Sequence, residues 1–273
     1  MIRTPLWNLF RRSVKHVTPP ILVESYRRLN QVRQNYTWEG IYQHMRDVPT
    51  VNASYGYSER VREMSVQAAG FLADMRAGQI ACLWHDFLAS VAATTSASSG
   101  KLRVLDFGGA VGSGFIQLCT VLPKATTLEY HVVDLPEMCA AGRILFADEP
   151  RIYFHTAVAN VIDKPDIVYV SSVLQYIEDY AERLRTLAAV GARWLILARV
   201  ATGNIPTYAT RQLNLPGQVL PYWFLNRDEL VNLLQHGGYR LAHEGLADRE
   251  YDQSNFPETH RIGRMRNLLF VRE

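Results

Sequence analysis

Residues 104–114 read Val104-Leu105-Asp106-Phe107-Gly108-Gly109-Ala110-Val111-Gly112-Ser113-Gly114, and Phe115, Ile116, Leu118 and Val121 follow at helical spacing. An aliphatic run, a glycine-rich turn and an apolar helical stretch, in that order, form the opening unit of a βαβ arrangement. Glycine is needed where φ is positive or where a ligand comes too close to the backbone for a Cβ, and the helix behind the turn offers unpaired N–H groups. The segment is therefore either the seat of a nucleotide-like ligand or a tight structural turn.

Short β-branched runs alternate with helical stretches beyond this point: Arg103 to Phe107, Glu129 to Asp134, Ile152 to Thr156, Asp166 to Ser171 and Trp194 to Arg199. Such alternation predicts a parallel sheet. Tyr239 to Leu246 and Asn267 to Arg272 have no helix-length pattern between them and predict a closing antiparallel pair. The expected fold is α/β, a Rossmann-like sheet of seven strands, with a domain at 101–273 and an N-terminal helical extension and cap at 1–100. Within that extension, residues 59–93 carry apolar side chains at helical spacing, and the Ser/Thr-rich stretch Ala92 to Gly100 reads as a linker.

Dinucleotide folds place G-x-G-x-x-G at the first turn, whereas here the spacing is G-G-x-x-G-x-G with Asp106 two residues ahead of the first glycine. A carboxylate at that strand end sits poorly beside a pyrophosphate, but it can organise the amino group of a methionine-derived cofactor. The next strand, His131-Val132-Val133-Asp134, ends in a second carboxylate that can take hydrogen bonds from ribose hydroxyls. Asp134 also suits the N-cap of a helix over Pro136-Glu137-Met138, and the two roles are compatible. At the fourth strand, Ser171-Ser172-Val173-Leu174-Gln175-Tyr176 puts polar side chains at the carboxyl edge of the sheet, where ligands bind. No Asn-Pro-Pro-Tyr type sequence is present, which disfavours N-methylation of bases by that route.

Through these elements the chain resembles the class I S-adenosylmethionine-dependent methyltransferases. More narrowly, it is similar to a bacterial methyltransferase family associated with surface-polysaccharide gene clusters. The matching stretches are Trp38-Glu39-Gly40-Ile41-Tyr42, Ser54-Tyr55-Gly56-Tyr57, Leu105-Asp106-Phe107-Gly108-Gly109 and Ser171 to Tyr176. The resemblance implies that Asp106, Gly108, Gly109 and Gly112 surround the methionine part of S-adenosylmethionine, that Asp134 holds the ribose, and that Tyr57 reaches the cofactor carboxylate. Leu135, Ser171 and Gln175 complete the expected cofactor set. One position departs from the family pattern D-x-G-x-G-x-G: Ala110 occupies the place of the middle glycine, and Gly109 lies one residue earlier.

Methyl transfer is an in-line displacement at a sulfonium carbon, helped by proximity and, for an alcohol acceptor, by a base. His155, at the end of the third strand, is the candidate base, a polar lining residue or simply an exposed side chain. Arg199, at the end of the fifth, is a candidate partner for an anionic substrate group or the member of a surface salt bridge. Tyr176 is the third candidate. The segment Thr202 to Trp223, with Tyr208, Pro216, Gly217, Pro221, Tyr222 and Trp223, reads as a lid over the acceptor or as aromatic plugs at the sheet edge.

Composition narrows the setting. Cys82, Cys119 and Cys139 have no C-x-x-C spacing, so neither a disulfide framework nor a metal site is expected, and a reducing cytoplasm fits. No uncharged apolar run is long enough to span a bilayer. The net charge of +3 is uneven: the first 34 residues carry +6 and the remainder −3. That arm, with Leu6, Trp7, Leu9, Phe10 and Val14 among its basic residues, is either a solvated helical face or a peripheral membrane contact. The mildly acidic body disfavours nucleic acid as a partner. The reading is an O-methyltransferase acting on a small-molecule or glycan acceptor. Its rivals are an NAD(P)-dependent oxidoreductase or epimerase and a non-catalytic module that binds S-adenosylmethionine.

Overall fold

The computed structural model describes residues 36–52, 58–79, 84–161, 163–215 and 217–273. The basic arm, Cys82, Pro216, and the stretch Ser54 to Tyr57 with its candidate Tyr57 lie outside the described residues. Residues Thr37–Glu273 form one compact unit.

Seven strands form the main sheet: β2 (Lys101–Phe107), β3 (Thr127–Val133), β4 (Ile152–His155), β5 (Ile167–Ser171), β6 (Trp194–Val200), β10 (Tyr239–Glu250) and β11 (Arg264–Arg272). Their order is β10-β11-β6-β5-β2-β3-β4. Strands β2 to β6 are parallel, and β11 runs antiparallel between β6 and β10. The chain winds outward from β2 through β3 to β4, then returns to β5 and winds the other way. The crevice between β2 and β5 is the topological switch point, where such sheets bind ligands.

The helices α1 (Ser58–Arg76), α2 (Asp86–Ser96), α3 (Ser113–Val121) and α4 (Pro136–Leu145) cover one face. There Leu72, Leu88, Phe115, Ile116 and Met138 pack with the strand residues Val104, Tyr130, Val132 and Ile196. On the other face α5 (Tyr180–Ala189) and α6 (Arg227–His236) bury Leu184, Leu187, Leu230 and Leu234 against Leu105, Val133, Val168 and Leu197. Both faces are thus apolar, which explains the near-continuous aliphatic runs of the strands. Among its described residues the crossover from β4 to β5 holds a short 3₁₀ turn, Val158–Asn160. On the same sheet face as Leu105, the in-register residues His131 and Tyr153 stack at 4.9 Å, and Tyr153 is exposed.

Two expectations require correction. The Ala92 to Gly100 stretch is not a linker over most of its length, because α2 runs to Ser96 with Ala92 and Ser96 buried. Its hydroxyls are reconciled with a helix by bonding back to carbonyls one turn earlier, Thr94 to Ser90 and Thr95 to Val91. Nor is Thr202 to Trp223 a lid. It contributes β7 (Thr202–Gly203), β8 (Tyr208–Gln212) and part of β9 (Leu220–Asn226) to a second sheet of order β1-β8-β9-β7, with β1 at Trp38–Tyr42. Tyr208, Tyr222 and Trp223 are buried. Trp38 packs against Tyr222, Phe224 and Tyr251 at ring separations of 5.4, 5.2 and 4.8 Å. Aromatic area buried there outweighs any gain from exposing it as a flap.

Candidate functional site

Among the described residues four non-glycine residues have positive φ, and three of them stand at the carboxyl edge of adjacent strands: Ala110 after β2, Ser172 after β5 and Arg199 at the end of β6. Each costs about 1 kcal/mol or more, so neighbouring contacts must hold it. For Ala110 the contact is Asp134, whose Oδ2 accepts the Ala110 N–H at 2.7 Å while Oδ1 accepts that of Leu135 at 2.7 Å. The departure from the family glycine pattern thus leaves the left-handed turn intact, with a charge-assisted bond offsetting the strain. The Ser172 N–H donates to Ala198 O at 3.0 Å, and the Arg199 N–H to Asn267 Oδ1 at 2.8 Å.

Gly108, at φ +75°, lies where a Cβ would come within 2.5 Å of Val173, so the first turn is seated directly on the junction that follows β5. A Cβ on Gly109 would fall 2.3 Å from Asp106 Oδ2. The Asp106 carboxylate therefore lies beneath the turn. It is 2% exposed and accepts the Tyr130 hydroxyl at 2.7 Å. Burial, opposed by that hydrogen bond, pushes its pKa up to about 7. Asp134 is half-buried, and burial raises its pKa as well. Each of its oxygens keeps an acceptor site beyond the backbone N–H it receives, enough for a pair of ribose hydroxyls. It does not cap α4, whose N-cap is Leu135.

The other candidates fall in separate places. Leu135 is exposed beside Asp134. Ser171 closes β5, and Gln175 is buried with its Oε1 lacking a partner among the described residues. Tyr176 packs edge-on against Tyr222 at 5.1 Å. His155 Nε2 is 3.0 Å from His131 Nδ1, and His131 Nε2 is 3.2 Å from Glu129 Oε1. Burial lowers the pKa of both imidazoles. His155 ends β4 at the outer edge of the sheet, with β3, β2 and β5 between it and the strand carrying Arg199. His155, Arg199 and Tyr176 therefore have three different sets of neighbours. Among the described residues no carboxylate lies within 4 Å of Arg199, so a salt bridge does not account for it.

A polar cluster beneath the edge was not legible in the sequence. His85, buried ahead of α2, is 2.9 Å from the Tyr169 hydroxyl through Nδ1 and 3.0 Å from Ser113 Oγ through Nε2. Burial and then the nearby Arg199 depress its pKa to about 4, so the ring is neutral at pH 7. Tyr169 and Asp106 sit side by side in register on β5 and β2. The available signal was parity: Tyr130 and Tyr169 interrupt aliphatic strands at positions on the Asp106 face.

Among the described residues, no group of His, Cys, Asp and Glu is arranged to hold a metal, and no helix is long and apolar enough to cross a membrane. A family model described as a methyltransferase domain matches residues 75–244, more than half of the chain. No curated protein matches by sequence. Matching solved structures include the magnesium protoporphyrin IX methyltransferase from Synechocystis PCC 6803 with bound SAM. It is 20% identical, with a TM-score of 0.45 over 74% of this chain and 84% of that one. An amino pentose methyltransferase from Micromonospora echinaspora, also SAM-bound, is 17% identical, with a TM-score of 0.46 over 78% and 97% of the two chains.

Proposed function

The chain belongs to the methyltransferase-domain family and takes S-adenosylmethionine as its cofactor, and from that premise we propose that it O-methylates a sugar or glycan precursor at the carboxyl edge of the main sheet. The observation that carries the siting is the left-handed turn through Ala110, locked to Asp134 at 2.7 Å. The cofactor supplies an electrophilic methyl group on a sulfonium. The chain supplies the seat for it. Asp134 accepts the ribose hydroxyls, and Gly108, Gly109 and Gly112 let the backbone pass close to the ligand. Asp106 is the counter-charge for the methionine ammonium, while Leu135, Ser171 and Gln175 line the remainder. Tyr57 belongs to the same proposal through the family resemblance alone.

An acceptor hydroxyl must lose its proton as the methyl group arrives. His155, kept neutral near pH 7 by burial, and Tyr176 are the proposed groups for receiving or orienting it. The sugar or glycan class rests on the resemblance to the polysaccharide-associated family, and so does the contact of the basic arm with a membrane surface.

Calorimetric titration with S-adenosylhomocysteine, using NADH as a control, tests the reading. Saturable binding of the homocysteine compound alone is expected. Asp134→Ala should weaken it roughly a hundredfold, as two hydrogen bonds to a charged acceptor are lost. Sugar-nucleotide and lipid-linked glycan acceptors are then screened by mass spectrometry for the gain of a methyl group. Binding of NADH in place of S-adenosylhomocysteine would overturn the proposal, and transfer only to acceptors without a sugar hydroxyl would overturn its acceptor class.

A further inference from the structure

Arg199 is held with unusual care for a residue at a strand end. Its backbone takes φ +52°, fixed by the Asn267 side chain on β11, and its guanidinium carbon lies 5.9 Å from the centre of the Trp84 ring. Left-handed non-glycine residues persist where the surroundings determine them, and they gather at ligand clamps. No carboxylate among the described residues neutralises this guanidinium. Asp86 and Asp106 act electrostatically on Tyr169, as Arg199 does, but among the described residues neither forms an ion pair with the guanidinium. His85 is neutral, and Tyr169 and Ser113 are hydroxyls. Trp84 is half-exposed, so the corner is open to a ligand.

The connections of this corner run to the glycine turn. Trp84 is followed directly by His85, and His85 reaches Ser113, the residue after Gly112. Arg199 is on β6 and Asp134 follows β3, with β5 and β2 between them. That separation is three strand spacings, about 14 Å, and the guanidinium extends back along the covered face toward His85. A ligand whose ribose rests on Asp134 and which crosses the turn over β2 therefore has its far end directed at Arg199. Tyr176 packs instead against the aromatic cluster of the second sheet.

We infer that Arg199, set against Trp84, binds a carboxylate, and that this carboxylate is the amino-acid end of S-adenosylmethionine rather than a group on the acceptor. The inference rests on the cofactor seat proposed above. It makes Arg199 a cofactor-binding residue, unlike the acceptor-pairing role read from its strand position.

The test is calorimetry on the full chain with two ligands: S-adenosylhomocysteine and its decarboxylated analogue, which keeps the adenosine, thioether and amine. Arg199→Met should weaken S-adenosylhomocysteine by at least about tenfold and leave the analogue within twofold of its wild-type affinity. Arg199→Gly removes the same guanidinium on a residue that favours the left-handed backbone, so it reports on binding should the Met variant fail to fold. Equal weakening of both ligands would mean a structural role, and unchanged affinity for S-adenosylhomocysteine would assign Arg199 elsewhere. Either overturns the inference. If the wild-type chain binds S-adenosylhomocysteine and Asp134→Ala weakens it while the Arg199 variants do not, this assignment alone fails. No wild-type binding would remove the cofactor seat itself.

Discussion

Asp106→Asn should stabilise the ligand-free protein, and do so more at high pH than at low pH. The Asp106 carboxyl has an ordinary value of 3.8 and is raised to about 7 by burial in the folded chain. A carboxyl raised in the folded state favours folding below its unfolded pKa. That contribution is lost as pH rises from about 4 to about 7, because the folded chain then holds a proton the unfolded chain has released. Above that window the ionised group costs about 4 kcal/mol, at 1.36 kcal/mol per unit. At pH 4.5 the same linkage leaves a cost of only about 1 kcal/mol. Asparagine stands in for the protonated acid and retains an oxygen for the Tyr130 hydroxyl. The stabilisation measured by urea denaturation should therefore be about 3 kcal/mol larger at pH 8 than at pH 4.5. Comparing two pH values cancels any fixed packing effect of the amide. An equal effect at both would show that Asp106 is not a suppressed acid, and the burial argument would fail. If the carboxylate is also the counter-charge for the methionine ammonium, the stabilised variant should bind S-adenosylhomocysteine more weakly, a trade of stability against binding common at such sites.

Gly108→Ala should lower stability by about 2 kcal/mol, since φ is +75° and the new Cβ would lie 2.5 Å from the Val173 side chain; a denaturation midpoint within error of wild type would contradict the close seating of the turn. Trp38→Ala should cost about 3–5 kcal/mol, because the indole is 2% exposed among three aromatic rings. A loss below about 1 kcal/mol would argue that the second sheet packs independently of β1.

Periodicity and turn chemistry are local properties, and they determined much of this protein. The five parallel runs, the closing antiparallel pair and the glycine turn after Phe107 could be read from neighbouring residues, because burial on both faces writes each strand as an aliphatic run. Asp106 and Asp134 were visible as carboxylates at strand ends for the same reason. What lay beyond the sequence were relations between distant residues. The Ser/Thr-rich end of α2 looked like a linker, since composition does not reveal that its hydroxyls bond back one turn and that Ala92 and Ser96 face the core. The aromatics of 202–223 looked equally suited to a lid or a core, and only pairing with Trp38, across more than 160 residues of chain, decided between them. His85, Ser113, Tyr169 and Arg199 are scattered through a helix lead-in, the first turn of another helix and two strands, and no spacing rule joins them. Chain folding brings them to one corner, where burial holds the imidazole neutral beside a guanidinium that forms no ion pair among the described residues. Local sequence thus set the elements and the turn, while the tertiary structure decided which polar groups became neighbours, because burial and charge depend on packing across the sheet.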